Sequence, residues 1–314
     1  MTAQPVSTRS IGPVTTRRAF LSGTMATMAF ITTFALSGCG DGTASGGSDS
    51  TAQGEAATIS VYTRENGSGT RSAFVELFGI EEKDASGNKV DMTTTAATVT
   101  NSTAVMMTLV SDDQNAIGYI SLGSLDDSVK ALQIDGVDAT PENVKSGDYK
   151  IFRPFNIVKK DQPSEAANDF LSFIMSTEGQ QIVSDNNYIA VDGGAPYSAT
   201  VSEGKVTVAG SSSVTPVMEK LAEAYREANP GVSVEVQQSD STTGVNMTID
   251  GTCDLGMVSR ELEDSEISAG LTSLAIALDG IAVIVSPQSE LDAISSDDIR
   301  SIYIGEITSW GQID

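Results

Sequence analysis

The chain has 314 residues, 39% of them hydrophobic, which is long enough for two lobes with a core each. Aromatics make up only 5%, so those cores must be largely aliphatic, and a formal net charge of -24 sets the chain against nucleic acid or an acidic membrane surface, since either repels it at long range. Histidine is absent, which removes the commonest general base and metal ligand and excludes a His-dependent hydrolase or zinc enzyme.

Residues 1–38 contain Arg9, Arg17 and Arg18, no acid, and then an apolar stretch from Phe20 to Leu36, the layout of an export signal. Within it Thr16-Arg17-Arg18-Ala19-Phe20-Leu21 resembles a twin-arginine export motif, and Leu36-Ser37-Gly38-Cys39 is similar to the bacterial lipobox, in which the cysteine is diacylated and becomes the mature N-terminus. A plain cleavage site or a single membrane span are the alternatives, but the apolar run falls short of the ~20 residues a spanning helix needs. Two acyl chains at Cys39 anchor stably where one is marginal. Loss of the three arginines deepens the charge from -24 to -27, so any anion site must rely on local donors. Residues 39–56 then form the lipidated end and a Gly/Ser/Ala/Thr tether. Cys253 is the remaining cysteine and reads as a small buried hydrophobe.

Past the tether, strands and helices alternate. A β-branched run over 58–63 predicts a strand, and Gly67-Ser68-Gly69-Thr70 leads into a helix carrying Phe74, Val75 and Leu77. A helix over 103–110 and strands over 116–120, 129–134 and 152–159 follow. From Pro163 a helix presents Ala166, Phe170, Phe173 and Ile174 on one face. A polar connector spans 192–204. Strand 206–209, helix 214–228, strand 232–237, helix 241–249 and strand 253–258 form a β-α-β-α-β series, the mark of a parallel sheet covered by helices. Strand 281–285 is apolar throughout, and a helix over 296–304 with Thr308-Ser309-Trp310 ends the chain.

Three segments share a strand, a run of Ser, Thr and Gly, and a helix start: Tyr62 to Arg71, Ala209-Gly210-Ser211-Ser212-Ser213-Val214, and Ser239-Asp240-Ser241-Thr242-Thr243-Gly244. A helix N-terminus offers unpaired N–H groups and the positive end of the dipole, and small hydroxyl residues let an anion reach them. Arg64 adds a planar fork matched to two oxygens. One such loop alone is an ordinary helix cap; three with an arginine point to oxyanion binding. Gly-Ser-Gly-Thr lacks the lysine of a nucleotide loop. No catalytic group, metal or cofactor is expected.

Arg64-Glu65-Asn66-Gly67-Ser68-Gly69-Thr70-Arg71 resembles the Arg-x-x-Gly-Ser-Gly-Thr signature of the phosphate-binding subunit of ABC phosphate importers. Asn115-Ala116-Ile117-Gly118-Tyr119, Glu178-Gly179, Gly210 to Pro216, Asp254-Leu255-Gly256 and Ile304 to Trp310 are similar to further pieces of that family, covering nearly the whole mature chain. The resemblance implies a two-lobed α/β fold of the periplasmic-binding-protein type that captures inorganic phosphate by hinge closure, as a non-enzymatic, lipid-anchored monomer on the extracytoplasmic face of the cell membrane, and delivers it to ABC permease subunits. It implies Arg64, Ser68, Gly69 and Thr70 as ligands from one lobe, and Ser212, Ser213, Ser241 and Ser259 from the other. The expected lobes are 57–150 with 287–314, and 159–280 including the connector 192–204, joined by hinge strands 151–158 and 281–286.

The order of the pieces departs from the family, whose members begin with the Gly-Ser-Ser unit, so a circular permutation joined through 192–204 is expected, with Ile59 and Asp314 adjoining. Ser259 stands where some members have an aspartate that accepts the proton of hydrogen phosphate, and Asn66 where they have an aspartate beside the arginine, leaving Glu65 as the group that could hold Arg64. Asp240 is the first candidate for a substitute proton acceptor. Selectivity thus stays open between phosphate and another tetrahedral oxyanion such as sulfate or molybdate. A secreted phosphatase and a surface sensor or adhesin are the readings from other classes.

Overall fold

The computed structural model describes residues 57–313; the export signal, Cys39, the tether to residue 56 and Asp314 lie outside the described residues. In chain order the elements that position the site are β1 (Ser60–Arg64), α1 (Gly69–Leu77), β2 (Thr98–Thr100), α2 (Thr103–Asp112), β3 (Ala116–Ser121), β4 (Phe152–Lys160), α3 (Glu165–Ile174), α4 (Thr177–Asp185), β5 (Gly204–Ser211), α5 (Thr215–Ala228), β6 (Val232–Ser239), α6 (Ser241–Asp250), β7 (Leu255–Val258), β8 (Leu271–Val285) and α7 (Ser296–Ile304). Most of these helices start where a small polar side chain captures a free N–H: Ser68 accepts from Arg71 N, Ser102 from Val105 N, Ser164 from Ala167 N, Ser176 from Gly179 N and Asp240 from Thr243 N. Pro216 occupies the first turn of α5, where no donor is lost.

Among the described residues a ten-stranded sheet runs β6-β5-β7-β4-β8-β3-β1-β2, with two short strands, Lys130–Ala131 and Ile189–Ala190, added against β8. Each end is parallel, β5 with β6 and β7, and β1 with β2 and β3. Between them β4 and β8 run antiparallel to each other and to their outer neighbours. The fold is thus two-lobed. One aliphatic core gathers Phe74, Ile117, Tyr119, Val283 and Tyr303, and the other gathers Phe155, Phe170, Leu221, Tyr225 and Met257; below they are the Arg64 lobe and the Ser212 lobe. β8 passes between them: Leu271 to Gly280 pair with β4, and Ile281 to Val285 with β3.

Several elements differ from the sequence reading. The expected strand at 129–134 breaks in two, because Ala131 pairs with Ile284 while Ile134 pairs with Ile294 of a different strand. Strand 281–285 is the C-terminal third of β8; Asp279 and Gly280 separate it from the apolar run Leu274 to Leu278, and Thr272 and Ser273 near the start are exposed. The hairpin Glu81–Lys83 with Lys89–Asp91 is charged and mostly exposed, so it gives no periodic apolar signal.

The two ends of the described chain meet. Ile59 N donates to Thr308 O at 2.9 Å and Trp310 N to Ala57 O at 3.1 Å. The connector is fastened by one buried carboxylate, Asp169 on α3, which accepts from the hydroxyls of Tyr197 (2.6 Å), Thr200 (2.6 Å) and Tyr225 (2.7 Å), from Thr200 N (2.6 Å) and from Asn229 Nδ2 (3.1 Å). Cys253 is free and buried beside the Thr248 hydroxyl, and burial raises its thiol pKa above the ordinary value. No helix among the described residues is long and apolar enough to cross a membrane.

Candidate functional site

Every residue that the sequence assigned to anion binding comes to one place, where the two lobes face each other. Arg64 ends β1 and is 1% exposed. Its Nε and Nη2 donate to both oxygens of Glu65 at 2.9 and 2.8 Å, and Nη2 also donates to Ser212 Oγ of the opposite lobe at 2.9 Å. Glu65 is therefore the carboxylate that holds the fork, the point the sequence left open. The backbone of Arg64 is fixed too: its N–H donates to the phenol of Tyr119 at 3.2 Å and its carbonyl accepts from Arg71 Nη1 at 2.6 Å. Tyr119 stacks on Phe74 with ring centroids 3.9 Å apart. Burial pushes its phenol up to about 12, against the opposing hydrogen bonds from Thr63 and Arg64, so it stays a neutral hydroxyl.

Ser68, Gly69 and Thr70 form the tip of α1. Ser68 caps the helix, and Thr70 Oγ1 lies 2.8 Å from Ser213 Oγ and 3.5 Å from Ser259 Oγ across the lobes. Gly69 is required by approach: a Cβ there would lie 2.5 Å from Ser241 Oγ and 2.7 Å from Ser259 Oγ. Next to it Gly67 O accepts from Thr242 N at 3.1 Å, a further bond between lobes. On the Ser212 side, Ser259 N donates to Ser241 Oγ at 3.1 Å and the two hydroxyls are 3.4 Å apart. All of these hydroxyls are buried.

Three participants were not singled out from the sequence. Ser211 Oγ donates to Ser259 Oγ at 3.0 Å, and Thr103 Oγ1 lies 3.3 Å from Ser213 Oγ. Ser211 belongs to the same serine run, and Thr103 follows a serine at a fourth strand-to-helix junction, so both carried a readable signal. Arg153 on β4 carried none; its Nη2 donates to Thr70 Oγ1 at 3.1 Å. Asp240 caps α6, each of its oxygens accepting from Thr243, at 2.9 and 2.6 Å.

The starts of α1, α2, α5 and α6 thus converge, two from each lobe, bringing their free N–H groups and positive dipole ends to one buried point with a guanidinium beside it. Such a cluster neutralises a compact anion with several oxygens. Among the described residues, the carboxylates beside these hydroxyls are engaged, Glu65 with Arg64 and Asp240 in capping α6. Among the described residues no group of three or more Cys, Asp or Glu could hold a metal.

A family description, the PBP superfamily domain, matches residues 43–178 and 195–313. The protein of Streptococcus agalactiae serotype V named phosphate-binding protein PstS 2 is 53% identical over 275 residues, 87% of this chain and 94% of its own. Its namesake from Streptococcus pneumoniae serotype 4 is 44% identical over 281 residues, 89% of this chain and 94% of its own. The crystal structure of a phosphate ABC transporter, phosphate-binding protein from Streptococcus pneumoniae TIGR4 superposes with a TM-score of 0.66 at 46% identity, covering 82% of this chain and all of that one. By sequence and by fold together, the chain belongs to the PBP superfamily and, within it, to the family of the streptococcal proteins named phosphate-binding protein PstS 2.

Proposed function

We propose that this protein captures inorganic phosphate between its lobes and delivers it to the permease of an ABC importer. The observation that carries this is the meeting, from both lobes, of Arg64, Ser68, Gly69 and Thr70 with Ser212, Ser213, Ser241 and Ser259 at one buried point. These are the proposed ligands: the guanidinium takes one or two oxygens of the anion, and the hydroxyls and helix-start N–H groups take the rest. Because half of them stand on each lobe, binding and closure are one event, with β4 and β8 as the strands that bend. The protein acts as a binder and not an enzyme; among the described residues, the carboxylates beside its hydroxyls are already engaged. Calorimetric titration with phosphate, sulfate, molybdate and arsenate tests the reading, and phosphate is expected to bind at least as tightly as any other. Absence of phosphate binding, or turnover of a phosphate ester, overturns it.

The mature protein is further proposed to be an extracytoplasmic monomer, lipid-anchored at Cys39, on the support of Leu36-Ser37-Gly38-Cys39 after the apolar run. The permutation joined through 192–204 is supported by the pairing of Ile59 with Thr308, which makes the two ends of the described residues neighbours. A scattering profile of a compact monomer is expected; an obligate dimer trading halves through the connector refutes single-chain closure.

A further inference from the structure

Arg153 stands on β4 directly opposite Asp279 of β8, where the sheet passes from one lobe to the other. It is 3% exposed and Asp279 is fully buried. Its Nη1 donates to Asp279 Oδ2 at 2.6 Å and to Gly280 O at 3.2 Å, while Nη2 reaches out of the hinge to Thr70 Oγ1. Its Nε is buried without a hydrogen-bond partner. Asp279 Oδ1 in turn accepts from Gly123 N at 3.1 Å.

A buried ion pair is a poor source of stability, since desolvation offsets most of the attraction and an apolar pair of like volume does as well. An unpartnered Nε makes this pair poorer still. What the pair does accomplish is orientation. A guanidinium can only donate, so Thr70 Oγ1 must accept from Arg153, and the single hydrogen of that hydroxyl is turned away from the hinge. It then faces the serine cluster, where Ser213 Oγ lies 2.8 Å off.

We infer that Arg153, clamped by Asp279, is a positioning residue for the bound anion: it fixes Thr70 as a hydrogen-bond donor to the anion, in a geometry set by the hinge strands. This rests on the phosphate-binding reading above. It makes Thr70 a partner for an unprotonated oxygen and leaves any P–OH to another acceptor. It also couples the site to the hinge, because a shift of β4 against β8 moves the guanidinium that aims Thr70.

A double-mutant cycle tests this, with phosphate affinity measured by calorimetry on wild type, Arg153→Lys, Thr70→Val and the double variant, and with thermal unfolding recorded for each. A lysine keeps the charge beside Asp279 but cannot serve both partners in a fixed fork. Arg153→Lys is expected to weaken phosphate about tenfold or more, and the double variant to bind no worse than the weaker single one, because the arginine acts through the hydroxyl. If Arg153→Lys does not fold, the neutral pair Arg153→Gln with Asp279→Asn replaces it in the same cycle, with the same expectation. Unaltered affinity in the arginine variant, or losses that multiply in the double variant, overturn the positioning role. Wild type that takes up no phosphate removes the binding reading instead, and this inference with it.

Discussion

Arg64 is the buried positive charge whose fork reaches across the lobes to Ser212, so its loss should be felt at once. Truncating one member of a buried charged pair costs about 2 to 5 kcal/mol, and Arg64→Ala should therefore weaken phosphate by more than tenfold in calorimetry. Ser259 offers a different test. A serine accepts a hydrogen bond but repels nothing, whereas an aspartate at that point should reject fully ionised sulfate while still accepting from hydrogen phosphate. Competition titrations are expected to show Ser259→Asp discriminating between the two anions more sharply than wild type. At this scale the sequence was legible where ligands are contiguous: Arg64 to Thr70 is one strand-to-helix turn, and each residue in it is named by the turn's own chemistry. Arg153 was not, because its contact with Thr70 spans 83 residues and nothing in Phe152-Arg153-Pro154 marks a side chain that will point into a site.

Helices and strands carried the fold most openly. Their alternation after residue 204 gave the parallel sheet at once, since α5 buries a face of Val217, Met218, Leu221 and Tyr225 and α6 starts on the cap Asp240. β8 was half hidden because Asp279 and Gly280 interrupt its apolar run, so the segment that pairs with β4 does not read as continuous with Ile281 to Val285. The connector was read as a plain join, yet it is held by tertiary bonds to Asp169 that no local pattern announces. Burial tends to raise that carboxyl, but hydrogen bonds from Thr200, Tyr197 and Tyr225 prevail and hold it down at about 2, below its ordinary 3.8. A carboxyl depressed on folding adds stability above its unfolded pKa and loses it as pH falls, here from 3.8 toward about 2. Unfolding midpoints should accordingly drop across that acid range in wild type and drop less in Asp169→Asn. That variant should also be less stable at neutral pH by about 1 to 3 kcal/mol, because buried donors lose a charged acceptor. Its phosphate affinity should be unchanged.

Taken whole, the described residues form two mostly aliphatic cores sharing two strands, with Ala57 to Ile59 beside Thr308 to Trp310 on the Arg64 lobe and the connector packed on the Ser212 lobe. The division into two lobes was expected from the length of the chain and from the family resemblance. The crossing itself was not, since it depends on one strand changing partners at Gly280 and Ile281. Cys253 is buried and Cys39 precedes residue 57, so no thiol is exposed among the described residues. Cysteines introduced at Glu142, beside the core of the Arg64 lobe, and at Ser198 in the connector, both exposed, can therefore carry a donor and an acceptor dye without competition from Cys253. Because the two dyes ride on different lobes, energy transfer between them should change on adding phosphate and return when the anion is removed. An unresponsive pair, in protein that calorimetry shows to bind, would mean that the lobes are already closed before the anion arrives. The burial of Cys253 thus leaves the protein open to labelling as an optical reporter of its own ligand.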